Sequence, residues 1–237
     1  VALETLQVLK KLEAYPTFNL ATVASIIGKD TVYAKVYLNR LKKRGLVQKL
    51  QRDAYTVHRD PLIIASRITW PSYISLWAAI RYHNLTEQLP NEISVLTTSA
   101  KSRRTISVAN TKIVFERIPP SHLFGFSKVR VGDFEVFMAE PEKAIIDAVL
   151  MRRISVSEIY SILKDNLETI SVGRLVDYIV KTRNKALAKR FGWMLESFGR
   201  KAEKLWAITY KTAIPLDYAK PPSGKKDTRW GVVVNVR

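Results

Sequence analysis

The hydrophobic period of the chain changes at Gly45, and this change constrains the first sixty residues more than any other feature. Upstream of it, apolar residues recur at intervals of three and four, the period of an amphipathic helix. Downstream, LVQKL and AYTV alternate apolar and polar residues around the polar tip Gln51, Arg52, Asp53, the pattern of a short hairpin. The upstream part divides further. Ala2, Leu6, Leu9 and Leu12 share one helical face, and Pro16 stops that helix. Asn19 is placed to cap a second helix, Leu20 to Ile27, closed by Gly28. Asp30 or Thr31 begins a third, which runs to Arg44.

Three short helices and a hairpin in that order predict a winged helix-turn-helix over residues 1–60, with the third helix in the major groove and the hairpin as wing. At about 100° per residue, Ala34, Leu38 and Leu41, with Tyr37 at the margin, point to a core. Val32, Tyr33, Val36, Asn39, Arg40 and Lys43 point outward, with Lys35 on the flank and Thr31 at the start. An ordinary solvated face carries few such apolar groups. A groove-reading face does, because apolar groups meet thymine methyls while Asn and Arg bond base edges. Lys49 and Arg52 at the wing tip are expected on phosphate. A winged helix serving only as a protein-contact module is the competing reading.

The remainder, 61–237, reads as a larger α+β domain, with Pro61 at its edge. Residues 61–150 form a sheet-rich part and 151–237 a helical, basic part. SYISLWAAIRYH is apolar nearly all round and predicts a buried helix. EISVLTT, RTISVAN, TKIVFERI and FEVFMA predict strands, and Pro141 opens a helix over EKAIIDAVLM. Ser155 and Glu158 make a capping box. Two more helices follow, the second with an apolar stripe of Leu187, Phe191, Met194, Leu195 and Phe198. WAITY reads as extended and WGVVVNV as a closing strand.

Charge points to a polyanionic partner. The chain carries 39 Lys and Arg against 21 Asp and Glu, a formal charge of +18. Residues 1–60 hold net +6, 61–150 only +2, and 151–237 net +10. Two separated basic regions suit nucleic acid, with a generally basic proteome or an anionic membrane surface as the competing reading. A second candidate basic surface is the helix face with Lys185, Lys189, Trp193 and Arg200, for which a solvated face is the competing reading. The Lys101–Arg104 and Lys225–Lys226 clusters read as solvated turns. With no Cys, disulfide scaffolds and zinc–thiolate sites are excluded. A charged N-terminal stretch unlike a signal peptide and the lack of a membrane-length apolar run predict a cytoplasmic protein.

Enzyme signals are weak, and no catalytic residue, metal or cofactor is assigned. His58, His83 and His122 lack ligand spacing. SGKKDT resembles the end of a phosphate loop, but Ala219 stands where the first Gly is required. Asp133 and Glu135 resemble nuclease carboxylates without the expected Lys. Asp147 has Lys143 four residues back as a ready partner.

PSYISLWAAIRYHNLTEQLP, EISVLTTSAKSRR, IPPSHLFGF, AEPEKAIIDAV and RWGVVVNV, after a basic LKKRGLVQKL, together resemble the AbiEi antitoxin family of type IV toxin–antitoxin, abortive-infection systems. The resemblance spans nearly the whole chain. It implies an N-terminal domain that represses its own operon by binding inverted repeats in double-stranded promoter DNA. It also implies a C-terminal domain with antitoxin activity. The functional partner would be a nucleotidyltransferase-like toxin, with direct contact not required. No membrane role is implied. An orphan transcription factor and, from another class, a nuclease or nucleic-acid-processing enzyme are the alternatives.

Overall fold

The computed structural model describes residues 2–100, 105–209 and 212–236, and the fold is mixed α+β with a mixed sheet. Lys101–Arg104 and the side chain of Ala2 lie outside the described residues. The chain forms two compact units. One comprises Val1–Ile74, Asn91–Ile118 and Lys128–Phe137; the other comprises Ser75–Pro90, Pro119–Ser127 and Met138–Arg237. Among the described residues no helix is long and apolar enough to cross a membrane.

The first unit begins with helices α1 (Ala2–Leu12), α2 (Leu20–Ile27) and α3 (Thr31–Lys43) and the hairpin β1 (Gln48–Gln51) and β2 (Ala54–Thr56). The Asn19 side chain accepts from the Thr22 N–H, and that of Asp30 from the Tyr33 N–H, each satisfying a helix-end donor. Val8, Leu12, Phe18, Val23, Ala34, Leu38, Leu41 and Val47 close one core beneath these helices. The buried face of α1 is rotated from the one expected. Thr5, Val8 and Leu12 are buried, while Leu6 is exposed. The 3.6 period allows either stripe, and packing against α2 selects one.

After a short helix α4 (Pro61–Ala65), capped by Asp60, a six-stranded sheet has the order β5-β6-β4-β3-β8-β7. Its strands are β3 (Ser72–Ser75), β4 (Glu92–Thr97), β5 (Thr105–Val108), β6 (Thr111–Arg117), β7 (Phe126–Val131) and β8 (Phe134–Ala139). β4 and β6 run parallel, β5 and β6 antiparallel. The segment SYISLWAAIRYH is not one helix. SYIS is the inner strand β3, and α5 (Leu76–Tyr82) starts only after it. All four residues of β3 are buried, and an apolar run buried all round has the same composition in a strand as in a helix. The edge strand β7 has no counterpart in the sequence reading. Ser127, Lys128 and Arg130 on it are exposed, so it lacks an apolar alternation.

In the second unit, α6 (Pro141–Leu150) touches α5, α7 (Val156–Asp165), α8 (Val172–Thr182) and α9 (Lys185–Ser197). The stretch EPEKAIID supplies its polar centre. Lys143 and Asp147 are a fully buried ion pair, and Ser75 donates to the same carboxylate at 2.8 Å. Glu142 accepts the Ser171 N–H, and Glu140 accepts the Tyr178 hydroxyl at 2.6 Å. Burial first, and then the Glu140 carboxylate, push the Tyr178 hydroxyl up to about 12.

Residues 203–208 form a 3₁₀ turn where an extended segment was expected, and Tyr210 lies outside the described residues. A three-stranded sheet ends the chain, in the order β10-β11-β9: β9 (Ile214–Pro215), β10 (Lys225–Asp227) and β11 (Val232–Val234). Gly192 in α9 admits the buried Trp230 ring. A Cβ there would lie 2.2 Å from the indole, whose Nε1 donates to Glu196 at 2.7 Å. Gly192→Ala is therefore expected to cost at least about 1–3 kcal/mol by overpacking. A urea midpoint unchanged from the native protein would contradict that packing.

Candidate nucleic-acid interface

Three of the apolar residues on α3 turn away from its core. Val32, Tyr33 and Val36 are 74, 49 and 49% exposed, while Ala34, Leu38 and Leu41 are buried and Tyr37 is half-buried. Thr31, Lys35, Asn39, Arg40 and Lys43 are exposed as well. The helix thus presents an amide, cations, a phenol and aliphatic groups on one outward surface. Exposed Lys29, just before α3, and Lys42, near its end, extend the cationic rim; neither was assigned from sequence. Their only sequence signal is charge next to the outward face.

The hairpin is fixed to the helices by several bonds. Phe18 and Tyr55 exchange two backbone hydrogen bonds of 2.9 Å, with their rings stacked at 6.3 Å. The Asp53 carboxylate at the tip accepts the Leu20 N–H at 3.0 Å, so it caps the start of α2. The tip geometry is therefore set by α2 itself. Lys49 and Arg52 are exposed beside that anchor.

The second candidate surface does not assemble as expected. Lys189 is buried, and its ammonium donates to the Thr212 carbonyl and, at 3.4 Å, to that of Gly231. Burial pulls its pKa down. Arg190 is buried too and donates to the Leu216 and Pro215 carbonyls. The cause is that α9 is covered on both sides. Leu187, Phe191, Met194 and Leu195 of its apolar stripe are buried and Phe198 is half-buried, and the helix also packs on β11. Arg200 lies past the end of α9 and pairs with Glu168 at 2.8 Å. Lys185 is exposed and Trp193 half-buried. The four residues do not form one exposed stripe.

Several other sequence candidates have protein partners, whereas the buried Nδ1 of His122 has no hydrogen-bond partner among the described residues. His58 bonds the Glu13 carbonyl and His83 that of Ala139. Glu135 pairs with Lys128 at 2.9 Å, and Asp133 lies 3.9 Å from Arg130. Comparison with protein-family models finds no match, and comparison with curated proteins finds none.

Proposed function

We propose that this chain is a sequence-specific DNA-binding repressor whose first sixty residues act as a winged helix-turn-helix. The observation that carries this reading is the exposed Val32, Tyr33 and Val36 among Asn39, Arg40 and Lys43, on a helix whose other face is packed. Exposed apolar groups gathered on one face and rimmed by polar residues are the mark of an interaction surface, since a partner that covers them gains their burial. A major groove offers thymine methyls to the aliphatic groups and base edges to Asn39 and Arg40. Lys49 and Arg52 then meet phosphate from the anchored wing.

Within that class, the family resemblance supports an autoregulating antitoxin of a type IV operon, paired with a nucleotidyltransferase-like toxin. The reading is of a binder without catalytic chemistry, cofactor or metal, acting in the cytoplasm on promoter inverted repeats. Its test is nuclease protection on the DNA upstream of its own gene. Arg40→Ala is expected to lose about 1–3 kcal/mol at the protected site, roughly 5- to 150-fold, and less on random duplex. Equal losses on both would make Arg40 a phosphate contact, and no protected site would overturn the repressor. Co-expression with the neighbouring gene's product separates an antitoxin, which relieves toxicity, from an orphan regulator, which does not.

A further inference from the structure

The loop between β9 and β10 leads into the cationic pair Lys225 and Lys226 of β10, and it is held in place. Asn235 spans it: its amide nitrogen donates to the carbonyls of Asp217, Lys220 and Pro221, and its Oδ1 accepts the Asp217 N–H at 2.7 Å. Asp217 is buried and accepts from the Ser157 hydroxyl and N–H at 2.6 and 2.9 Å, and from the Ala219 N–H at 2.9 Å. Burial alone would raise its pKa; these hydrogen bonds outweigh it and hold the carboxyl below its ordinary value. At the far end, Gly224 lies so close to β11 that a Cβ would sit 2.0 Å from the Val234 carbonyl oxygen.

Beside this loop is a cavity of about 860 Å³, lined by Trp193, Lys220, Lys225, Lys226, Arg229 and Asn235. Small-molecule sites occupy roughly 300–1,000 Å³. Asp227 also borders it, with one oxygen accepting the Trp230 N–H at 2.8 Å. Arg229 is oriented by Glu196 at 2.9 Å and lies over the Trp206 ring. Lys225 and Lys226 are exposed, and among the described residues no carboxylate forms an ion pair with either. The cavity therefore joins uncompensated ammonium groups to an indole wall on the edge of a braced loop.

We propose that this cavity binds one nucleotide unit, its phosphate among the Lys225, Lys226 and Arg229 cations that line it and its base against Trp193. Cations alone would suit any polyanion. The indole among them adds a stacking surface for a flat ring. A base in a duplex is stacked on both sides and cannot use it, so the ligand is a free nucleoside monophosphate or a residue of a single strand. This site is separate in chemistry from the α3 surface and does not depend on it.

The test titrates the full chain into fluorescein-labelled tetra-adenylate RNA and follows anisotropy, with AMP and poly-glutamate as unlabelled competitors. Joint replacement Lys225→Ser and Lys226→Ser, on exposed side chains, is expected to weaken binding at least roughly tenfold, and Trp193→Leu by a similar factor. Trp193→Phe, which keeps a ring, should stay within about threefold of the native chain and decides the matter if Trp193→Leu misfolds. Arg40→Ala should leave this binding unchanged while weakening duplex binding, so failure here and failure of the repressor reading are distinguishable. Competition by AMP identifies a free nucleotide as sufficient; competition by unlabelled tetra-adenylate alone identifies a single strand. The proposal is overturned if a folded Trp193→Leu binds as tightly as the native chain, or if poly-glutamate competes as well as tetra-adenylate. The latter result would mark the surface as a dock for an acidic peptide.

Discussion

Asp147→Ala is expected to remove about 3–5 kcal/mol of stability, read as lost amide-exchange protection along α6. The substitution leaves the Lys143 ammonium buried without its counter-ion, and Ser75 without its acceptor. The pair itself need not be strongly stabilising, since burying both charges costs much of what their attraction returns. Joint replacement Lys143→Met and Asp147→Leu should therefore recover most of the loss. The pH dependence is a second signature. Burial lowers the native Lys143 pKa, and Asp147 opposes that shift. Without Asp147 the native pKa falls further below the unfolded value of about 10.4, and the unfolded state binds more protons across a wider window. Stability of the variant then rises with pH through that window. Its deficit against the native chain should be largest near neutrality and shrink as pH approaches about 10. A deficit that stays constant with pH would mean that an uncompensated charge is not its cause.

That pair also marks how far residue pattern alone reaches. The spacing of Lys143 and Asp147 allows an ion pair, but their burial depends on Ser75, 72 residues away from Asp147, and on helices packed around α6. Lys189 is the sharper case. Every third or fourth residue on the opposite side of α9 is apolar, so a solvated Lys189 follows from periodicity. What buries it are the carbonyls of Thr212 and Gly231, on segments whose approach no local period encodes. Lys225 and Lys226, read as a solvated turn, are exposed as that reading has them, but they lie on β10, whose partner strand β11 follows a turn and carries no polar residue to mark the pairing. The faces of α3 were legible because one side packs against neighbours close in sequence and the other is open to solvent. There the 3.6 period maps directly onto burial. The boundary between β3 and α5 was not, since both sides of that run are apolar.

Leu38→Ala should cost about 2–5 kcal/mol and weaken DNA binding without touching the outward face of α3. Leu38 is buried in the same cluster as Leu12, Val23 and Leu41, so truncation removes methyl groups from contacts with α1 and α2 together. The spread reflects how far these neighbours can close the void. Short helices have little independent stability, and α3 is only 13 residues long, so its position is set by this packing. Amide exchange along α3 should accelerate by the same free energy, while α6 amides, in the other unit, keep their native protection. Arg40→Ala should do the opposite, with exchange unchanged and specific affinity reduced. The two variants then separate the scaffold of the surface from the surface itself. If Leu38→Ala left α3 protection and duplex affinity at native values, the buried side of the helix would be wrongly placed, and the outward assignment of Val32, Val36 and Arg40 would fall with it.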